Sequence, residues 1–215
     1  GYLLFQIFLL PPASYDSMKY HLPRIFLFMQ EQSLFLLKGN NPLLISGPTG
    51  HDILHFMTLR FGTDYGIAFF SFLEYIGVGL GIYSMCRLFA SHTHSLVAAL
   101  FASSFPLTVL QATSTKNDLF IEFACILTVR LLLDISHHAN RLKWALLLVV
   151  GIMGGAAKSY YLAFFVSCLV SFGLLWFFTK KLKTNLIPIS QNGITLSFTL
   201  CCMVLLSGWW IYLHN

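Results

Sequence analysis

A carboxylate, an ammonium, a phenol, an imidazole and a guanidinium stand within nine residues in Asp16-Ser17-Met18-Lys19-Tyr20-His21-Leu22-Pro23-Arg24. The carboxylate of Asp16 has the chemistry of a general base toward a hydroxyl, and the cations of Lys19 and Arg24 can hold an anion such as a phosphate. An ordinary loop acid would look the same in isolation. A second acid, Asp118, follows Thr113-Ser114-Thr115-Lys116-Asn117 and opens an apolar run. A helix N-terminus stabilises a carboxylate there, whether it caps the helix or serves a site. Lys158 lies between two apolar runs, where a lysine must snorkel or pair. It reads either as an interfacial anchor or as a cation for a lipid phosphate. Two acids on separate loops near a lysine suit a general base beside a hard-cation or phosphate site, so Asp16 and Asp118 are also candidate ligands for a divalent cation.

The elements that must position these residues are apolar. The 215-residue chain is 57% hydrophobic and 10% charged, with a mean hydropathy of +0.74. A soluble domain carries about 25% charged residues. The composition and long continuous apolar runs therefore predict an all-α, multi-pass transmembrane helical bundle, not a barrel of alternating short strands. Spans are expected at 66–86, 95–112, 118–134, 144–157, 160–178 and 195–213, after the end of an earlier helix at 1–10. The pair 144–157 and 160–178 reads as a tight hairpin, with Gly151, Gly154 and Gly155 permitting close approach. Residues 11–65 form a long loop, in which Ile25–Leu37 and Ile53–Phe61 are expected to be amphipathic helices on the membrane surface. The chain opens inside one apolar helix and stops just after another, so it is expected to be the N-terminal part of a longer transmembrane domain.

Orientation follows from charge. Placing 11–65 outside leaves Arg87, Arg141, Lys143, Lys180, Lys181 and Lys183 on cytoplasmic connections, as the excess of basic residues there requires. Asp16, Asp118 and Lys158 then share the extracytoplasmic face. The net charge of +5 comes largely from the inner connections, so no nucleic-acid partner is implied. Cys86, Cys125, Cys168, Cys201 and Cys202 have no metal-site spacing and read as small apolar helix residues. His21 and His55 read as hydrogen-bonding loop histidines more readily than as ligands. Glu74 and Arg130 lie inside expected spans, and Trp209 and Trp210 read as an interfacial belt.

Asp16-x-x-Lys19-Tyr20 resembles the first-loop motif of GT-C-fold glycosyltransferases, the protein O-mannosyltransferase and aminoarabinose (lipid A) transferase group, and the longer string Asp16-Ser17-Met18-x-Tyr20-His21-Leu22-Pro23-Arg24 resembles a bacterial branch of that superfamily more closely. Gln111-Ala112-Thr113-Ser114-Thr115-Lys116-Asn117-Asp118 is similar to the second-loop motif with its second acid. Gly154-Gly155-Ala156-Ala157-Lys158 resembles the hairpin lysine motif, with Ser159 where glycine is usual. The group usually has Asp-Glu at the first motif, where this chain has Asp16-Ser17. The resemblance implies a GT-C-like bundle in the plasma (bacterial inner) membrane, a polyprenyl-phosphate sugar as donor and a lipid, glycan or protein acceptor. It implies inverting transfer with Asp16 as base and Asp118 positioning a cation or the acceptor. Lys19, Arg24 and Lys158 would bind the donor phosphate, and Tyr20, His21 and Asn117 would contact substrate. Two other classes fit the composition: a transporter for an anionic or lipid substrate, and a non-catalytic lipid-binding subunit.

Overall fold

A computed structural model of the protein describes residues 2–12, 14–34, 44, 48–61, 65–137 and 139–181, with backbone alone for 61 and 178–181. The described residues are mostly helical, with no strand among them. The expected helix at 195–213 and the tryptophans at its end lie outside them.

Helix α1 (Tyr2–Leu9) is followed by Pro11-Pro12, which cannot continue a helical hydrogen-bond ladder. A five-residue π-helix, Ser17–His21, runs straight into α2 (Leu22–Gln30), where Pro23 sits in the first turn and its missing N–H is not needed. Gln32 then turns the chain with a φ of 49°. Helix α3 (Gly50–Phe61) comes next. Gly66, at φ 77°, adopts a left-handed conformation that costs glycine little. Its N–H donates to the Ile7 carbonyl at 3.2 Å, joining the end of α1 to the start of α4 (Phe69–Cys86).

Helix α5 (His92–Ser103) begins at Ser91, whose hydroxyl accepts the His94 N–H. The single helix expected over 95–112 is in fact two, α5 and α6 (Pro106–Gln111). Pro106 removes an N–H and forces Phe105 to an extended ψ of 130°, which breaks the helix. Helices α7 (Asp118–His137), α8 (Arg141–Ala157) and α9 (Ser159–Lys181) complete the order. Asn140 caps α8 by accepting the Lys143 N–H at 2.8 Å.

Helix α4 packs on α5 and α7, α7 packs on α8, and α9 covers both α7 and α8. The core under α9 holds Ile121, Ala124, Ala157 and Tyr161, with Leu132, Ile135, Leu147 and Cys168 further along. The glycines of α8 make this packing possible: a Cβ at Gly154 would overlap the Tyr161 ring, and one at Gly151 would overlap Phe165. Tyr161 is fully buried, and its hydroxyl meets that of Thr128 at 2.7 Å.

Two helices, α4 and α9, are long and apolar enough to cross a membrane. On α9 the residues Leu162, Val166, Val170 and Leu174 recur every fourth position and are all about half exposed. The exposed side of that stripe suits contact with lipid chains. The loop helices differ from the surface helices expected of them. On α3 it is the polar residues, His51, Asp52 and His55, that are buried, while Met57 is exposed. On α2, Arg24 is buried beside Ile25 and Phe28. These helices are held to the protein by polar contacts on their inner side.

Candidate active site

The chain order places the end of α1, the π-helix, the α6–α7 connection and the α8–α9 turn at one end of the helices. Hydrogen bonds fasten them to each other. The Ser17 hydroxyl accepts the Thr115 N–H at 3.1 Å, linking residues 98 apart in sequence. The Asn117 side-chain amide donates to the Ala157 carbonyl at 2.8 Å. The connections bearing Arg87, Arg141 and Lys143 fall at the opposite end, after α4 and before α8.

Asp16 and Asp118 are each ion-paired. Lys116 Nζ lies 2.6 Å from Asp16 Oδ2, with both side chains a quarter to a third exposed. Lys158 pairs with Asp118 Oδ1, and Gln111 donates to Asp118 Oδ2 at 3.2 Å. Burial pushes the Lys158 ammonium down, but the charge and hydrogen bond of Asp118 outweigh it, so the amine is held above its usual range. Lys158 is therefore a permanent cation at the hairpin tip. Its backbone there is extended, at φ −150° and ψ 132°, because it ends α8 one residue before α9 starts.

Lys116 was not among the expected site residues. It stands beside Asn117-Asp118, and its adjacency to the second acid was the signal that could have found it. Lys19 is exposed, with its ammonium 5.0 Å above the Tyr15 ring, and makes no ion pair with Asp16 or Asp118 among the described residues. Tyr20 is partly buried, its ring against His21 at 4.3 Å. Burial holds its phenol above the usual value, and the Asp16 charge adds to this.

Three expected ligand contacts are replaced by internal ones. Arg24 is 2% exposed. It pairs with Asp52 and donates to the Leu44 and Pro48 carbonyls. It therefore organises the loop and is not presented to a donor phosphate. His21 is likewise 2% exposed, with Nδ1 2.5 Å from Asp52 Oδ1. Asn117 is 6% exposed and holds the α8–α9 turn. Asp52 itself is buried; burial pushes its carboxyl up, but His21 and Arg24 outweigh that and keep it below the usual range.

Next to Asp52, His51 Nε2 meets Glu74 Oε1 at 2.9 Å, and His55 Nδ1 donates to the Ile67 carbonyl at 2.6 Å. The two imidazole rings are 4.6 Å apart. Burial pushes both imidazoles down to about 3, so both are neutral near pH 7. Arg130 pairs with Asp134 and donates to Ser84.

Asp16 and Asp118, the two acids expected to hold a divalent cation, are each engaged by an ammonium in this arrangement. Among the described residues no three His, Cys, Asp or Glu side chains are grouped to hold a metal.

Beside Lys116 a groove of about 580 Å³ runs between α1 and α6. Leu10, Pro11, Leu107 and Leu110 form its apolar wall, and Ser14, Gln111 and Lys116 its polar one. Lys116 in the groove wall pairs with Asp16, and Gln111 in the same wall donates to Asp118. No protein-family model, curated protein or solved structure matches the chain.

Proposed function

We propose that this protein is an integral-membrane glycosyltransferase. It moves a sugar from a polyprenyl-phosphate donor to an acceptor hydroxyl on the extracytoplasmic face of the plasma membrane, within a GT-C-like bundle. The observation that carries the reading is the meeting of the Asp16–Lys116 and Asp118–Lys158 pairs at one end of the helices, beside the groove under Leu107 and Leu110. A lipid-borne phosphate must be met at the membrane edge by cations, and its chain needs an apolar surface.

In this reading Asp16 leaves Lys116 and takes the proton of the acceptor hydroxyl. The acceptor oxygen bonds to the anomeric carbon, while the bond from that carbon to the phosphate oxygen breaks. The polyprenyl phosphate leaves with the electron pair, and Lys116 and Lys158 stabilise the charge that develops on it. Asp118 holds Lys158 in place. The donor's chain lies against Leu107 and Leu110. The basic residues Arg87, Arg141 and Lys143 belong to connections at the other end, which the positive-inside rule assigns to the cytoplasm.

One observation favours a second reading, a lipid-binding subunit without catalysis: both acids are already neutralised by lysine. Mass spectrometry of polyprenyl-phosphate sugars separates the two. Cells carrying the full-length protein, its deletion or Asp16→Asn are compared. Equal accumulation of one lipid-linked sugar in the deletion and the Asn strain is expected. Unchanged pools in both strains would sink the transferase reading.

A further inference from the structure

Asp52 is the most enclosed acid among the described residues. Its side chain is 1% exposed, whereas those of Asp16 and Asp118 are 33% and 35% exposed. A carboxylate so deep in a protein persists only if it is paired and fully hydrogen-bonded. Asp52 meets that condition with two partners, Arg24 on Oδ2 and His21 Nδ1 on Oδ1 at 2.5 Å. Neither partner is on its own helix. His21 is the last residue of the π-helix, and Arg24 lies in the first turn of α2.

The π-helix bears on this. Its wide turn is rare, and such segments are frequent at functional sites. Asp16 immediately precedes this one, and Tyr20 is within it. The segment is fastened at both ends. At the start, Ser17 Oγ meets Ser14 Oγ at 2.5 Å and accepts the Thr115 N–H at 3.1 Å. At the end, His21 and Arg24 are clamped by Asp52. With both ends fixed, the rotation of the turn is set, and so is the direction in which Asp16 points.

We propose that Asp52 is a positioning residue: by clamping His21 and Arg24 it fixes the π-helix and aims Asp16 at Lys116 and the bound substrate. The aim toward substrate rests on the transferase reading; the aim toward Lys116 does not. Asp52 touches no reacting atom in this scheme.

Zero-length carbodiimide cross-linking of the full-length protein, followed by peptide mass spectrometry, tests it. The Asp16–Lys116 pair forms one isopeptide link, and the Asp118–Lys158 pair forms another that serves as an internal reference. Asp52→Asn is expected to lower the first link fivefold or more relative to the second. Because that variant strands the buried Arg24 charge, Asp52→Asn/Arg24→Gln is made beside it; it removes both charges and is expected to show the same selective loss. In a transfer assay kcat falls at least tenfold while the KM for donor stays within twofold. Two results overturn the proposal: an unchanged link ratio in both variants, or an equal loss of both links in both variants, which would mark a general loss of structure. A selective loss of the first link in a protein that shows no transfer at all upholds the positioning and removes the transferase reading.

Discussion

At the scale of single residues, the proposed site depends on which cations stand beside the two partly exposed acids. Lys116 and Lys158 each hold a partly exposed acid, whereas Arg24 is enclosed and Lys19 lies over a tyrosine ring. A charge-assisted contact contributes about 1.5–3 kcal/mol. On the transferase reading, Lys116→Met and Lys158→Met are therefore each expected to lower kcat/KM for a polyprenyl-phosphate sugar by at least tenfold. Lys19→Ala should change it by no more than threefold. Steady-state kinetics on purified full-length protein checks this, and an equal loss in all three variants would count against the assignment of Lys116. The acids and the hairpin lysine were legible in the sequence because ionisable groups beside apolar runs stand out. The inward turn of Arg24 and His21 was not, since it depends on Asp52, whose partners are 28 and 31 residues away. Nothing local distinguishes a cation that meets solvent from one that meets a distant buried carboxylate.

At the scale of elements, the α8–α9 hairpin is what holds Lys158 in register. Gly154 faces the ring of Tyr161, and Gly155 faces Leu162, so neither position has room for a Cβ without a shift of the partner. Overpacking of this kind costs about 1–3 kcal/mol. Gly154→Val is expected to lower the midpoint of thermal unfolding in detergent and, by pushing α9 away, to weaken the Asp118–Lys158 pair. Tyr161→Phe removes only the hydroxyl contact to Thr128. Thr128 retains its bond to the Ala124 carbonyl, and the loss should be about 1 kcal/mol. A larger effect of Tyr161→Phe than of Gly154→Val would show that the hydroxyl, not the fit of ring against glycine, sets the hairpin. The glycine spacing made this close approach predictable. The break at Pro106 was equally available in the sequence, because proline and the residue before it disfavour a continuous helix. The expected span over 95–112 read apolarity alone and passed through it.

At the scale of the whole molecule, the long loop is bound to the helical bundle by buried polar groups, and this makes its attachment sensitive to pH. His51 meets Glu74 of α4, and His55 meets the Ile67 carbonyl just ahead of α4; Asp52, between them, binds the π-helix and α2. Apolar patterning could not reveal this, since His51, Asp52 and His55 look like the outer face of a surface helix until their partners are known. Both imidazoles are driven by burial from an ordinary 6.5 to about 3. Between those values an unfolded chain binds protons at these two positions that the folded one does not, so their contribution to stability rises with pH there and is lost as pH falls below 6.5. The contribution of each imidazole falls by about 1 kcal/mol between pH 6.5 and 5.5. Asp52, held below the usual carboxylate range, adds a loss in the same direction only at still lower pH. Thermal unfolding of the full-length protein and of His55→Gln in detergent, followed from pH 7.5 to 5.5, isolates the contribution of one imidazole. The variant should gain about 1 kcal/mol on the wild type between pH 6.5 and 5.5, because one of the two protonations is removed. A difference between the two proteins that does not change with pH would mean that the His55 imidazole is not held neutral in the folded protein. The α3 attachment would then have to rest on contacts other than these.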